Sequence, residues 1–433
     1  MSDRRYTIGL DLGTSSAKGV LLDENNTVLR EASVKMNYRR DAGYIGFDAA
    51  AFADDVIDLI ANLAAALPDG GRVSSIAAVC ASGNTLLCDI DGKPLVDCVS
   101  WLNDEMNAEV AAVLHPHLDP AYLSPAATRA RTGWPFHGAF PLGHLCYLKT
   151  HFPTEFARAV TVTMSGEYLL WRLCGRWGID RSSATPFFLL EQETGRWHKP
   201  YLDALGIGEA MLPSVGRSGD LLGHLTPAAA AATGLDTSCE VRLGSFDHPG
   251  GARASDVTDE GDLLISCGTS WVCLFPVRDR EVVLRQELLC DPYRSPEGCW
   301  AGMFSIAKVG EVLDRAVERY AGTGDDRFDR FYAMADTATS DGVTVDLNAP
   351  LPEANGNEAA LARAVIEAIG RTLRDSMGRI EAEGIAFRRA VMAGGPSRNP
   401  ICRKIVAEVI GIPVEYRYGA SSGAVGAAML ARG

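Results

Sequence analysis

Apolar and polar positions alternate with the two-residue period of strands at the start of this chain and with the period of helices further on. Three apolar runs open it, Tyr6–Leu10, Ala17–Leu22 and Thr27–Val34. They are separated by DLGTSS and DENN, both rich in turn-forming residues. Two short turns between strand-like runs predict an antiparallel meander, since a parallel crossover needs a dozen or more residues. Phe52–Leu67 has helical apolar spacing and predicts an amphipathic helix. Val73–Ala81 reads as a buried strand, and TLLCDIDGKPLVDCVSW as a hairpin turning at Asp91-Gly92. From Asn103 to Leu235 the pattern is mainly helical with loops, among them TGWPFHGAFPLG, and its last helix, Pro227–Thr233, is stopped by Gly234.

Beyond that point VRLGSFDHPGGARAS predicts a strand feeding a glycine-rich turn, and DLLISCGTSWVCLFPV another hairpin. Helices are expected at Ile306–Tyr320 and Glu358–Glu383, then a strand at Ala390–Met392 and the loop GGPSRN. In the helix that follows, Asn399 suits the cap, Pro400 the first turn and Gly411 the stop, with Ile401, Ile405 and Val409 on one face. The closing SSGAVGAAMLA predicts a helix whose small side chains permit close backbone approach. One echo stands out. IGLDLGTS (8–15) and LLISCGTS (263–270) are each an apolar strand running into Gly-Thr-Ser, with a second apolar strand after it. This suggests a duplicated half, split near residue 243.

Composition narrows the class. Hydrophobic residues at 47% and charged residues at 22% exclude a fully disordered, collagenous or coiled-coil chain. With 41 Lys and Arg against 55 Asp and Glu, the net charge of −14 repels nucleic acid and anionic lipid, and no run of basic residues exceeds a pair. The 11 cysteines are scattered without a CxxC spacing, which argues against a disulfide framework or zinc site and for a reducing, cytoplasmic setting. The N-terminus lacks the apolar core of a signal peptide, and no run of about 18 apolar residues predicts a membrane span.

Phosphoryl transfer requires donors and a metal around the phosphates. A Gly-Thr-Ser turn offers close backbone approach, successive N–H groups and two hydroxyls. Two such hairpins, facing one another across a cleft, would hold a triphosphate, with Asp11 beside it to bind Mg²⁺ through water. Each GTS taken alone reads more readily as a tight β-turn, and it is the pair, with an acid at the first strand end, that points to phosphate. There is neither a GxxxxGK[ST] loop nor a GxGxxG after a strand, so the P-loop and dinucleotide-binding readings are unsupported.

IGLDLGTSSAKGVLLDENNTVL resembles the first phosphate motif of the FGGY family of carbohydrate kinases, within the actin, hexokinase and heat-shock-chaperone superfamily. The likeness continues in family order. VSWLND is similar to its sugar segment, SGEYLLWRLCGRWGIDRSSAT to its helix ending in Asp-x-Ser-x-Ala, and LPSVGRSGDLLGHLTPAAAAATGL to its interdomain stretch. RLGSFDHPGGA resembles its catalytic-aspartate turn, LLISCGTS its second phosphate motif, and VMAGGPSRNPICRKIVAEVIGIPV its adenosine motif.

The resemblance implies an α/β fold of two RNase H-like domains, 1–243 and 244–433, each with a mixed five-stranded sheet flanked by helices and with a cleft between them. It implies ATP and Mg²⁺ as cofactors and a sugar or polyol as acceptor, a pentulose or related ketose first. Asp247 matches the general base, although a turn aspartate before Pro249-Gly250-Gly251 is the plain alternative. Gly13, Thr14, Ser15, Lys18, Gly268, Thr269, Ser270, Gly394, Gly395, Arg398 and Asn399 match nucleotide positions, with Asn399 equally a helix cap and Lys18 equally a solvated strand residue. Ser82, Gly83, Trp101, Asn103, Asp104, Asp247 and His248 are the acceptor candidates, and Asp11 the metal-binding one.

Departures limit the substrate. Ala81-Ser82 stands where xylulose kinases carry Met-His, Leu102 follows Trp101 in place of a polar residue, and His144 replaces a signature lysine, with Tyr147 in place of the tryptophan after it. Alternatives are a kinase for a sugar acid or glycerol, a non-catalytic nucleotide-binding regulator or scaffold, and a chaperone-type ATPase, for which no peptide-binding segment follows. The chain carries no expectation of a nucleic-acid or membrane partner, and a homodimer is left open.

Overall fold

The computed structural model describes residues 4–40, 43–81, 83–295, 297–340 and 342–433. They form two compact units. The first comprises residues 1–250, 291–297 and 423–433, and the second residues 251–290 and 298–422. Asp247, assigned by the sequence reading to the second domain, therefore lies in the first unit.

The first unit is built on strands β1 (Arg4–Leu12), β2 (Ser16–Leu22) and β3 (Val28–Lys35), which form the expected antiparallel meander. Helix α1 (Ala49–Ala64) starts a turn earlier than its apolar spacing suggested, because Asp48 caps it by accepting from the Ala50 and Ala51 amides. Its buried face carries Phe52, Val56, Ile60 and Leu63. Strand β4 (Gly71–Cys80) then lies parallel to β1.

The hairpin expected around Asp91-Gly92 turns where predicted, through Asp89–Lys93 with Gly92 at positive φ, and its arms are bridged antiparallel at Cys88–Pro94 and Thr85–Val99, while each arm also takes a further partner. Leu86–Cys88 pairs with Thr161–Thr163, and Cys98–Val99 with Gly46–Phe47. Helices α2 (Pro141–His151) and α3 (Ser165–Cys174) follow. Strand β5 (Leu221–His224) leads into α4 (Pro227–Thr233), which ends at left-handed Gly234 as predicted. Strand β6 (Glu240–Phe246) joins β4 in parallel. DHPGGARA, expected as a turn, is instead helix α5 (Asp247–Ala254). The sheet order is β5-β6-β4-β1-β2-β3.

The second unit repeats this plan. Strands β7 (Asp262–Cys267) and β8 (Trp271–Val277) flank the second GTS turn as an antiparallel pair. After β9 (Leu289–Asp291), strand β10 (Trp300–Ile306) completes the meander. Ile306 was expected to open a helix, but it closes β10 opposite Trp271. Helix α6 (Val309–Ala321) begins only after Lys308, whose φ is positive. Helices α7 (Arg327–Thr337) and α8 (Glu358–Glu381) precede β11 (Arg389–Gly394), which is parallel to β7. Helix α9 (Pro400–Ile410) is capped by Asn399 and stopped by Gly411 as read, and β12 (Val414–Tyr416) ends the sheet β9-β10-β8-β7-β11-β12.

Both sheets thus share five strands, a three-stranded meander followed by two parallel strands. Each has a sixth edge strand, β5 in one and β9 in the other, beyond the five expected. The core of each unit is apolar, with Ile8, Leu10, Val56 and Ile60 in the first and Ile265, Phe275, Val365 and Ile369 in the second. All 11 cysteines are unbridged, ten of them buried. Among the described residues no helix is long and apolar enough to cross a membrane.

The last helix, α10 (Ser422–Leu430), belongs to the first unit from Gly423 onward. A Cβ on Gly426 would lie 1.9 Å from the Gly250 carbonyl oxygen, and one on Gly9 1.9 Å from that of Ala424. Only glycine fits such an approach, and the contacts dock the chain's end against β1 and α5. Gly426→Ala is expected to cost about 1–3 kcal/mol of stability, the ordinary cost of overpacking, seen as a lowered urea midpoint. An unchanged midpoint would place α10 elsewhere.

Candidate active site

In the first unit Asp11 stands near the end of β1, in register with Lys18 on β2. Its carboxyl is pushed up to about 7, by burial first and the negative charge of Asp247 second, against the pull of Lys18. Gly423 on α10 leaves it room, since a Cβ there would come within 2.5 Å of Oδ2. The turn after it is tied down. The Gly13 amide donates to the Ser16 carbonyl (3.1 Å), the Tyr38 hydroxyl to the Thr14 carbonyl (2.8 Å), and the Met36 amide to the Ser15 carbonyl (3.1 Å).

Asp247 opens α5 directly after β6. Its Oδ1 accepts from the His248 amide at 2.7 Å, and its side chain remains 28% exposed. The strand end that carries it is held by the Asp-x-Ser-x-Ala motif. Asp180 caps a short helix by accepting from the Ser182 and Ser183 amides (2.8 and 3.0 Å). The Ser182 hydroxyl accepts from the Phe246 amide (3.2 Å) and donates to Asp291 (2.6 Å). Asp291 is fully buried, and the sequence reading missed it because it lies 109 positions from its serine.

The acceptor candidates divide. Ser82 lies outside the described residues. Gly83 has φ +102°, and a Cβ on it would lie 2.4 Å from the Phe140 ring and 3.5 Å from the Trp101 Cβ. Trp101 is 37% exposed, and His248 stacks edge-on against Phe246 (5.4 Å). Asp104 is exposed, lining a surface cavity of about 510 Å³ with Leu102 and Tyr44. Asn103 lines the same cavity. Its amide nitrogen donates to the Ile45 and Ser100 carbonyls (2.8 and 2.6 Å) and its oxygen accepts from the Ile45 amide (2.7 Å), so it also splints two loops.

Beneath this surface His144 is fully buried, with Nδ1 3.0 Å from the Thr85 hydroxyl. Burial brings its ring down to about 3, so it is neutral. Glu167, 3% exposed, is the opposite case. Burial first and the Asp180 charge second push its carboxyl up to about 8, and Oε2 meets no partner among the described residues. A carboxyl whose folded value is raised stabilises most below its unfolded value and loses that contribution as pH rises through the folded one. The window here runs from about 4.5 to about 8. Glu167→Gln should therefore gain on the native protein in melting temperature between pH 5 and pH 8. A constant difference across melts at pH 5, 6.5 and 8 would show that Glu167 is not a buried acid.

In the second unit the GTS turn lies on the first turn of α6. The Gly268 amide closes the turn on the Ser270 carbonyl (3.3 Å), and the Gly310 amide donates to the Thr269 carbonyl (2.9 Å). Gly310 is required there, since its Cβ would lie 2.4 Å from the Gly268 oxygen. Beside this turn is a cavity of about 670 Å³, large enough for a nucleoside. Gly268, Thr269, Gly395, Arg398 and Asn399 line it, as do Asp314, Phe328 and Tyr332, which the sequence reading did not single out. Gly394 has φ +98° and no room for a Cβ, 2.3 Å from the Cys267 carbonyl oxygen, whereas Gly395 faces open space. The Asn399 side chain accepts from the Ile401 amide (2.9 Å), so its cap role and its place at the cavity coexist.

Among the described residues no group of three or more His, Cys, Asp or Glu side chains could enclose a metal. A lone carboxylate such as Asp11 suits Mg²⁺, which keeps most of its water and takes the rest of its ligands from phosphates.

Residues 6–252 match the N-terminal domain of the FGGY family of carbohydrate kinases, and residues 323–432 its C-terminal domain. The chain is 26% identical to the xylulose kinase of Escherichia coli (strain K12), covering 98% of this chain and 89% of that protein. It is 24% identical to the xylulose kinase of Bacillus subtilis (strain 168), covering 99% and 88%. The solved structure of ligand-bound xylulose kinase from Lactobacillus acidophilus shares the fold, with a TM-score of 0.85 at 21% identity over 99% of this chain and 89% of that one. The two repeated sheets, their paired GTS turns and these matches agree: the chain belongs to the FGGY family of carbohydrate kinases and is an ATP-dependent sugar kinase.

Proposed function

We propose that this kinase phosphorylates a hydroxyl of a short ketose or polyol with Asp247 as general base. The reading rests on one observation above the others. A part-exposed carboxylate, Asp247, opens a helix at a strand end and acts electrostatically on a second carboxyl, Asp11, beside a GTS turn. As the acceptor oxygen attacks the γ-phosphorus of ATP in line, the bond to the ADP oxygen breaks and the hydroxyl proton passes to Asp247. In both turns the glycine amide closes the loop. Thr14, Ser15 and Lys18 in the first turn, and Thr269 and Ser270 in the second, match the family's phosphate positions, so each turn is by itself a candidate phosphate contact. The nucleoside would fill the cavity beside Gly395 and Arg398. Asp11 would hold Mg²⁺ through water, and the ion when bound offsets phosphate charge.

Xylulose, on which the named relatives act, is the first acceptor to try, together with related ketoses, polyols, sugar acids and glycerol. Purified protein with ATP and Mg²⁺ should release ADP in response to at least one of them in a coupled assay. No response across the panel, with ATP binding intact by calorimetry, would rule the proposal out.

A further inference from the structure

The carboxylate of Asp247 is held mostly by its own chain neighbour. Among the described residues it accepts from the His248 amide (2.7 Å), and the His248 ring lies 4.0 Å away. Contacts to the next residue shape the side chain but do not fix it in the fold. Its place is therefore set by the residue before it. The Phe246 carbonyl accepts from the Ser245 hydroxyl (2.9 Å), again a neighbour, while the Phe246 amide donates to Ser182, 64 positions away (3.2 Å). The strand ladder is disturbed at this end. The register of β6 against β4 shifts between Arg242 and Ser245, and only the pairs Ser245–Val79 and Phe246–Cys80 follow the shift.

Ser182 can hold the Phe246 amide only if its hydroxyl points the right way. A hydroxyl has one hydrogen to give, and the lone pairs it offers depend on where that hydrogen goes. Here it goes to Asp291 Oδ2 at 2.6 Å, the length of a hydroxyl bonded to a carboxylate, which leaves a lone pair for Phe246. The backbone of Ser182 is fixed separately, by the Asp180 side chain accepting from its amide (2.8 Å). Both acids are buried, Asp180 at 2% and Asp291 at 0% exposure. Two buried acids on one serine are a poor way to gain stability, since each gives up its water. They are an effective way to gain direction.

Resting on the Asp247 reading above, we infer that Asp291 is a positioning residue for the transfer step. Through Ser182 it orients the Phe246 peptide, and so it aims the Asp247 carboxylate at the acceptor hydroxyl. No proton passes through Asp291 itself. Its loss is felt in turnover and not in nucleotide binding.

The test measures kcat, KM and melting temperature with the acceptor that releases most ADP. Asp291→Ala and Ser182→Ala should each lower kcat by about 10–100-fold, the cost of a reacting group displaced by about 1 Å, with ATP affinity by calorimetry unchanged. Asp291→Asn keeps an oxygen for the Ser182 hydroxyl and should recover most of the loss. Because both residues act by one route, the double alanine variant should be no slower than either single one. Adding Asp291→Ala to Asp247→Asn should likewise cost nothing further. If one alanine variant does not fold, the other carries the comparison. Native kcat in a folded alanine variant, losses that multiply in the double variant, or an asparagine variant as slow as the alanine one would overturn the inference. So would a lowered melting temperature with normal turnover of the folded fraction. Slow Asp247→Asn beside native Asp291→Ala removes this inference alone, whereas near-native Asp247→Asn, or no ADP release with any acceptor, removes the Asp247 reading as well.

Discussion

Asp247→Asn is expected to lower kcat by about 10²–10⁴-fold, the usual worth of a positioned general base. Asparagine keeps the shape, and its carbonyl oxygen can still accept from the His248 amide that holds Asp247 at 2.7 Å. It cannot take the hydroxyl proton. ATP affinity should hold or rise slightly. The Asp247 charge helps to push the Asp11 carboxyl up to about 7, so neutralising Asp247 lets Asp11 ionise more readily at neutral pH and favours Mg²⁺. Acceptor affinity should fall by about tenfold at most, through one weakened hydrogen bond. If Asp247 only starts α5, the signs reverse: melting temperature falls and the folded fraction turns over normally. Measuring kcat, ATP affinity and melting temperature on one preparation separates these outcomes, and near-normal kcat would remove Asp247 from the mechanism.

Gly395→Val should weaken ATP binding by about 10–100-fold, or about 1.4–2.7 kcal/mol, with the fold retained. Gly395 has φ −56° and ψ −59°, which any residue adopts, and nothing lies within 4 Å of where its Cβ would be. The added isopropyl group would enter the cavity of about 670 Å³ that the position lines. The neighbouring glycine supplies the contrast. Gly394→Ala would force a side chain onto a left-handed backbone against the Cys267 carbonyl, and it should cost folded protein before it costs affinity. Calorimetric titration of the valine variant with a nonhydrolysable ATP analogue decides the matter, and native affinity would move the nucleotide site away from Gly395.

The limits of legibility show in particular residues. Asp247 was singled out through the resemblance of its turn to the family's motif, yet its helix was read as a turn, since Pro249, Gly250 and Gly251 are turn residues in most surroundings. Gly250 is there for another reason. A Cβ on it would strike Val79 at 2.6 Å, and its carbonyl is the surface on which Gly426 rests. Asn103 was singled out as a sugar contact by its place after Trp101, and only the tertiary structure shows that it also ties Ile45 to its own loop. Phe328 and Tyr332 gave no signal, because an aromatic residue facing a cavity and one facing a core have the same helical spacing.

What the amino-acid order determined by itself was local. It specified the first meander, the hairpin around the second GTS turn, the helix caps at Asn399 and Gly411, the matching GTS turns and the order of the family's motifs. Each of these depends on the period of neighbouring residues or on the φ a turn demands. The tertiary structure alone decided which distant segments meet. It brought Ser182 to Asp291, put Phe140 over Gly83, and gave residues 423–433 to the first unit rather than to the second, which precedes them in the chain. Such meetings follow from burying apolar faces and fitting backbone against glycine across a hundred or more residues, and no window of adjacent residues records that outcome.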